Sequence, residues 1–263
     1  MAMKELAEIL LKAESVVAVT GAGVSAESGV PTFRGPDGYW RSHRAEELAT
    51  AEAFQRNPQL VWEWYNERRL AIAAKEPNPA HRILAGWEKR LPGFHLITQN
   101  VDGLHQRAGS RNVIALHGDI WEMRCGTENV TMRNEETPLR VIPPRCQRCG
   151  ALLRPNVVWF GEALPQAALH RAEKLAETCD ALLVIGTSAI VYPAAALPML
   201  AKRRGAVVIE INPDETPLSA QADFRLRGKA GEILSAIDRA IHARSPRCAR
   251  QEPAKVVGQR RKT

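Results

Sequence analysis

Long hydrophobic runs are missing from this 263-residue chain. No stretch approaches the ~20 consecutive apolar residues of a membrane-spanning helix, so a membrane partner is not expected. Aromatic residues make up only 5% of the chain. They are not interleaved with basic runs as on a single-strand nucleic-acid platform, so nucleic acid is not an expected partner either. Cysteine is sparse and odd in number, five in all. The start, Met1 to Ala13, lacks the form of a secretory signal and reads as an amphipathic helix with Leu6, Ile9 and Leu10 on one face. An odd cysteine count without a signal is not a disulfide framework, and a cytoplasmic location is the expectation.

What is present in excess is positive charge, a net +7. One reading is attraction to acidic partners, such as an anionic cofactor or an acylated substrate. The other is a tail effect. Arg244, Arg247, Arg250, Lys255, Arg260, Arg261 and Lys262 face only Glu252, with Pro246 and Pro253 between them. Residues 244–263 are expected to form a basic, disordered tail.

The rest of the chain is organised around residues 16–35. Val16 to Thr20 is an apolar, β-branched run that reads as a buried strand. Gly21-Ala22-Gly23 follows at once, with Ala26 in the third place of a G-x-G-x-x-(G/A) pattern. In that pattern the first glycine turns the chain and the second admits a phosphate. The small third residue lets helix and strand pack closely, and the helix N-terminus faces a pyrophosphate. Gly29 and Pro31 then stop the helix within about two turns. Thr32 to Gly38 must leave as a loop carrying Phe33 and Arg34, placed to cover the nicotinamide end of a dinucleotide.

Helices are expected over Ala45 to Arg56, Pro58 to Lys75, Ala80 to Lys89 and Gly231 to Ala243. Further strands are expected at Phe94 to Gln99, Val113 to Leu116, Leu182 to Ile185, Val207 to Ile211 and Phe224 to Leu226. Val157 to Phe160 reads as extended. Residues 120–151 carry cysteines, a polar middle and Pro143-Pro144, and read as an insert rather than sheet core. Strands alternating with helices imply a parallel α/β sheet, which binds ligands beyond the carboxyl ends of its strands. Gly21, Gln99, His117, Gly186 and Asn212 all fall at such ends, which locates one site.

The run Gly21 to Arg34 resembles the signature of the sirtuins, NAD-dependent protein-lysine deacylases. Thr98-Gln99-Asn100-Val101-Asp102, Leu116-His117-Gly118, Val158-Trp159-Phe160-Gly161-Glu162, Gly186-Thr187-Ser188 and Asn212-Pro213 match further family motifs in order. The resemblance implies a Rossmann-like sheet formed by residues 1–38, 82–119 and 152–243. A smaller domain would combine a helical insert, 39–81, with a zinc-type insert, 120–151. It implies that His117 is the general base toward the NAD ribose, with Asn100 and Asp102 at the nicotinamide and ribose. The implied cofactor site adds Gly21, Ala22, Gly23, Ser25, Ala26, Glu27, Thr32, Phe33, Arg34, Tyr39, Trp40, Gln99 and Val101. It continues through Gly186, Thr187, Ser188, Asn212, Pro213, Asp214 and Ala230.

Tyr65 and Arg68 are three apart and share one helix face. In the sirtuin branch that removes succinyl and malonyl groups, this Tyr-x-x-Arg pair reads the distal carboxylate, and Ala45 stands where that branch has alanine. The chemistry fits, because a guanidinium pairs bidentately with a carboxylate and a phenol adds a donor. Val158, Trp159, Phe160, Gly161 and Glu162 would offer strand backbone to an extended acyl-lysine peptide. Sirtuins usually hold a structural zinc with four cysteines. Here Cys146-x-x-Cys149 is one half-site and Cys125 belongs to the other, while its expected partner is Glu128. The fourth position is left to Glu128, water or no ligand. Cys179 and Cys248 lie outside the insert. The implied activity is NAD-dependent removal of succinyl, malonyl and acetyl groups from lysine, giving nicotinamide and O-acyl-ADP-ribose. The alternative is a protein mono-ADP-ribosyltransferase using the same NAD site.

Overall fold

The computed structural model describes residues 2–32 and 47–244. Phe33, Arg34, Tyr39, Trp40, Ala45 and Cys248 lie outside the described residues, as does the expected tail beyond Arg244. Arg244 itself meets Glu8 of the first helix at 3.1 Å.

Six parallel strands form the main sheet: β1 (Val16–Thr20), β2 (Phe94–Thr98), β3 (Val113–Ala115), β7 (Ala181–Ile185), β8 (Val207–Asn212) and β9 (Phe224–Arg227). Their order is β3-β2-β1-β7-β8-β9. The central strands are apolar throughout because both faces are covered. Along β1, Val16 and Ala18 face one core with Leu183 and Ile185, while Val17 and Val19 face the other with Leu182 and Val184. The first core is closed by α1 (Ala2–Lys12), α4 (Pro79–Arg90) and the last helix, α8 (Ala230–His242), through Leu6, Leu10, Leu84, Trp87, Leu234 and Ile237. The second is closed by α6 (Gln166–Thr178) and α7 (Leu197–Arg203). Burying each such side chain contributes about 1.5–3 kcal/mol. The α6 helix adds to the expected elements, and Ala172 and Ala176 are its buried face.

A smaller unit packs α2 (Ala51–Arg56) and α3 (Pro58–Ala73) on an antiparallel sheet of order β5-β4-β6. Residues 120–151 lie outside the main sheet, and they contribute strands to this second one. The strand β4 (Gly118–Cys125) pairs with β5 (Val130–Arg133) and with β6 (Leu153–Val157). The second sheet therefore takes strands from both sides of the 120 and 151 boundaries. It buries Ile120, Trp121, Met123 and Cys125 against Trp62, Tyr65 and Trp159. The extended stretch expected at Val157 to Phe160 also lies earlier, with its strand ending at Val157. Beyond it the chain turns, touching Thr50 through a single parallel bridge at Phe160. Trp62 Nε1 donates to Leu153 O at 2.7 Å. The buried Arg69 donates to Asn134 Oδ1 at 2.7 Å and Glu136 O at 3.1 Å, and stacks 5.2 Å from the Trp121 ring centroid.

Caps explain the local boundaries. Thr50 Oγ1 accepts from Ala53 N, and Asn57 Oδ1 accepts from Leu60 N. The N-terminus of α4 is a capping box. Asn78 supplies one half, and His81 Nδ1 accepts the Asn78 backbone N–H at 3.3 Å. Burial, with Arg82 nearby, pushes the His81 imidazole down to about 4. The unfolded chain then binds a proton that the fold excludes, so stability falls as pH drops from ~6.5 toward 4. Between pH 7 and pH 5, His81→Gln is expected to lose about 2 kcal/mol less unfolding free energy than the native chain. Urea titrations at the two pH values would measure this, and equal losses in the two proteins would contradict it.

Candidate active site

The strand order reverses between β1 and β7. This is the place where doubly wound sheets hold ligands. Three glycines set the geometry. A Cβ on Gly21 would stand 2.7 Å from Thr187 Cβ, and one on Gly23 2.7 Å from Gly186 O. Gly186 has a φ of 59°, and its Cβ would stand 2.4 Å from Val24 N. The Gly23 N–H donates to Gly186 O at 2.7 Å, so this amide fastens two strand ends together rather than facing a phosphate. Ala22–Ser28 is a 3₁₀ helix, ended by Gly29 at a φ of 77°. Ala26 does not pack helix on strand as expected; it lies on the wall of the cavity.

That cavity has a volume of about 820 Å³. Gly21, Ala22, Gly23, Ala26, Glu27 and Thr32 line it, with Gln99, Asn100, Val101 and His117. Gly186, Thr187, Ser188, Asn212, Pro213, Asp214 and Ala230 line the same space, as do Tyr65, Arg68 and the whole of Val158 to Glu162. Ser25 and Asp102 stand behind this wall and line a small adjoining void with Arg68 and Asn100.

At one end of the cavity the polar groups are tied to one another. Gln99 Nε2 donates to Thr187 Oγ1 at 3.2 Å, and Asn212 Nδ2 to Thr187 O at 2.8 Å. Glu27 Oε2 accepts the Gly231 N–H at 2.6 Å, which fastens the 3₁₀ helix to the start of α8 beside Ala230. This favours a carboxylate at a helix N-terminus.

The middle of the site is a buried chain with a defined direction. His81 Nδ1 accepts the Asn78 N–H, so its other nitrogen carries the hydrogen. His81 Nε2 then donates to Ser25 Oγ at 3.3 Å, and Ser25 donates to Asp102 Oδ2 at 2.7 Å. Asn100 Nδ2 donates to Ser25 Oγ and to Gly21 O, which turns its carbonyl toward the cavity as an acceptor. Burial pushes the Asp102 carboxyl up, against the pull of the Leu104 N–H and Ser25. His105 lies beside His81 with ring centroids 4.7 Å apart. Burial holds it well below the ordinary imidazole range, with His81 adding to the effect.

His117 faces the cavity from the end of β3. Its Nδ1 sits 2.9 Å from Gln99 O. A carbonyl only accepts, so Nδ1 carries the hydrogen and Nε2 keeps a free lone pair. Burial pushes this imidazole below its ordinary value, although the Gln99 bond raises it. At neutral pH the ring is a base.

The other end of the cavity belongs to the smaller unit. Tyr65 Oη accepts from Trp159 Nε1 at 2.9 Å, and burial pushes the phenol up to about 12. The Arg68 guanidinium lies 4.7 Å from the Trp64 ring centroid and 5.7 Å from that of Tyr65. Along Val158 to Glu162, most backbone donors already have partners. Val158 N donates to His117 O, Trp159 N to Glu162 Oε2, Phe160 N to Ala49 O and Glu162 N to Trp159 O. With those donors engaged and the Trp159 carbonyl already accepting from Glu162, this segment presents less than a full strand edge to a peptide.

Cys125, Cys146 and Cys149 converge far from this chemistry. Their sulfurs lie within 4.8 Å of one another, with Cys125 and Cys149 at 3.6 Å. Glu128 does not join them; its carboxylate faces Arg148 at 3.6 Å. Cys179 is separate and buried.

The sequence reading omitted two features of the site. His81 was hidden in a helix start, although Asn-Pro-Ala-His is a capping-box spacing. Ile190, Val191 and Tyr192 form an exposed apolar rim, with Tyr192 76% exposed. The signal was an apolar run directly after a ligand-facing turn.

The Sir2 family model matches residues 21–193. An NAD-dependent protein deacylase of Aquifex aeolicus is 56% identical over 223 residues, covering 85% of this chain and 93% of the relative. NAD-dependent protein deacylase 1 of Archaeoglobus fulgidus is 50% identical over 238 residues, covering 90% and 97%. Among solved structures, a Sir2 homologue with NAD superposes with a TM-score of 0.85 at 50% identity, covering 91% of this chain and 94% of that one. A Sir2 protein with a p53 peptide and NAD+ gives 0.79 at 34% identity, covering 91% and 98%. The chain belongs to the Sir2 family, the sirtuins, and is an NAD-dependent protein deacylase.

Proposed function

We propose that the protein removes succinyl and malonyl groups, as well as acetyl, from lysine side chains of protein substrates, with NAD as co-substrate. The observation that carries this reading is the order of groups along one cavity. A glycine cradle at the strand ends leads to a neutral imidazole with a free Nε2, and then to a phenol and a guanidinium on one helix face. A solved relative holds NAD, and another holds a peptide together with NAD+. The cradle of Gly21, Gly186, Thr187, Ser188 and Asn212 takes the ADP-ribose part. Ala230 takes the adenine edge, and Gln99, Asn100 and Asp102 take the nicotinamide and its ribose.

The chemistry follows from charge. The acyl oxygen of the substrate lysine attacks C1′ of the nicotinamide ribose, and nicotinamide leaves. The ribose 2′-hydroxyl then attacks the imidate carbon, with His117 Nε2 accepting its proton. Water completes the release of lysine and O-acyl-ADP-ribose. Asn100 and Ser25 are held in place by the Asp102 chain, so the groups around C1′ need no reorganisation during the step. At the far end Arg68 and the Tyr65 hydroxyl meet a carboxylate on the acyl chain. The larger unit holds the dinucleotide, and the smaller unit closes over the acyl group.

The three-cysteine cluster fits a structural zinc. A zinc bound at ~2.3 Å from each sulfur in a tetrahedral site spaces the sulfurs roughly 3.8 Å apart, close to the separation here. Cys125, Cys146 and Cys149 would hold the metal, and zinc would link the β4–β5 turn to the loop before β6. The cluster lies away from His117, so its role is to support the fold.

Mass spectrometry of matched succinyl-, acetyl- and unmodified-lysine peptides, with and without NAD, tests the reading. NAD-dependent succinyl loss with O-succinyl-ADP-ribose is expected. ADP-ribose attached to the peptide instead would favour the transferase. Arg68→Met should lower succinyl kcat/KM by roughly tenfold or more relative to acetyl, the loss expected for a charged hydrogen-bonded pair. His117→Ala should cost at least about 10²-fold in turnover. For the native enzyme, burial favours the neutral ring, so activity should persist to a lower pH than an ordinary imidazole allows. The acid limb of kcat/KM is expected below about 6.5, and a midpoint above that value would count against His117 as the base. Purified protein should carry one zinc per chain, and Cys146→Ala should lose the metal and melt at a lower temperature.

A further inference from the structure

We infer that Trp159 is a positioning residue for acyl selectivity: its indole N–H holds the Tyr65 hydroxyl in the orientation that donates to a negatively charged acyl group. This inference rests on the charged-acyl reading above. Trp159 Nε1 lies 2.9 Å from Tyr65 Oη. An indole nitrogen can only donate, so the phenol oxygen must accept. Its own hydrogen is directed elsewhere, and among the described residues nothing else takes it. Tyr65 and Arg68 both line the cavity wall, which leaves a carboxylate in the cavity as the acceptor the pair suits best. Without the indole, the hydroxyl could rotate and spend its hydrogen on a neighbour.

The indole itself is held with unusual firmness. The Arg154 guanidinium lies 3.5 Å from its ring centroid. Arg154 is in turn fixed by two bonds to Glu162, at 2.6 and 3.0 Å, and one to Val157 O at 3.0 Å. Glu162 closes the loop by accepting the Trp159 backbone N–H at 2.9 Å. Phe54 packs on another side of the ring at 5.4 Å between centroids. A residue that merely filled space would not need its nitrogen aimed at one oxygen.

Trp159→Phe keeps a smaller aromatic ring for Arg154 and removes the donor. The ratio of succinyl to acetyl kcat/KM is expected to fall roughly fivefold, the worth of one neutral hydrogen bond, and the change should appear in the succinyl KM rather than in kcat. Tyr65→Phe should lower the ratio at least as far. The double variant should fall no further than Tyr65→Phe alone, because the indole acts through the phenol. Effects that multiply, or an equal loss on both acyl groups, would overturn the inference. So would Tyr65→Phe with an unchanged ratio, a result that does not depend on Trp159→Phe folding. Loss of selectivity in Arg68→Met with none in Trp159→Phe would sink the inference and spare the charged-acyl reading. A native enzyme that leaves succinyl-lysine intact would overturn both.

Discussion

The contact on which the site depends is between backbones. At the strand reversal, Gly21 and Gly23 meet Gly186 and Thr187 so closely that no side chain fits between them. The Gly23 amide bonds directly to the Gly186 carbonyl. This approach brings the end of β1 against the end of β7 and leaves the cavity open above the join. The short 3₁₀ helix follows from the same constraint. It must leave the junction steeply, and Gly29 ends it before a long crossover helix can form. The glycines are therefore a structural clasp first, and the cradle proposed for the dinucleotide depends on how tightly that clasp closes.

Above the clasp, burial sets proton positions. His81 accepts a backbone N–H and must donate to Ser25, which must donate to Asp102. His117 donates to Gln99 and must keep Nε2 bare. Each orientation is fixed because one end of the chain is a backbone group that cannot reverse its role. Desolvation then disfavours the charged form of each imidazole. The same physics that makes His81 a liability in acid favours the neutral form of His117.

Much of this was legible in the sequence. The β-branched run before Gly21 and the apolar runs ending at Gly186 and Asn212 could only be buried parallel strands. Their ends could only converge on one edge of the sheet. The smaller sheet was not legible. Gly118 to Cys125 mixes charged and apolar residues because β4 alternates buried and more exposed positions only from Trp121 onward and carries a register shift against β6. Composition made the following polar stretch look irregular. Nor was the burial of Arg69 legible: a cation on a helix reads as surface, yet this one is buried where carbonyls from the Asn134–Glu136 turn accept its hydrogens. Tertiary partners of that kind leave no periodic trace.

The division of labour between the two units has a physical basis. On the proposed reading, the dinucleotide end combines strand-end backbone, where the glycines leave no room for a side chain, with the side chains of Gln99, Asn100 and Asn212. The proposed acyl end is built from side chains of the smaller core: Tyr65 and Arg68 from α3, Trp159 from the segment after β6. These side chains are packed on Trp62, Trp64 and Phe54 rather than on the main sheet. On the proposed reading, selectivity for the acyl group can therefore change through the smaller core without disturbing the glycine clasp. A zinc held by the three cysteines would reach the same core through β4, since Cys125 ends the strand whose residues Ile120 and Met123 share a core with Tyr65 and Trp159. The cysteine cluster would then bear on the proposed acyl pocket through the stiffness of one strand, at a distance from His117.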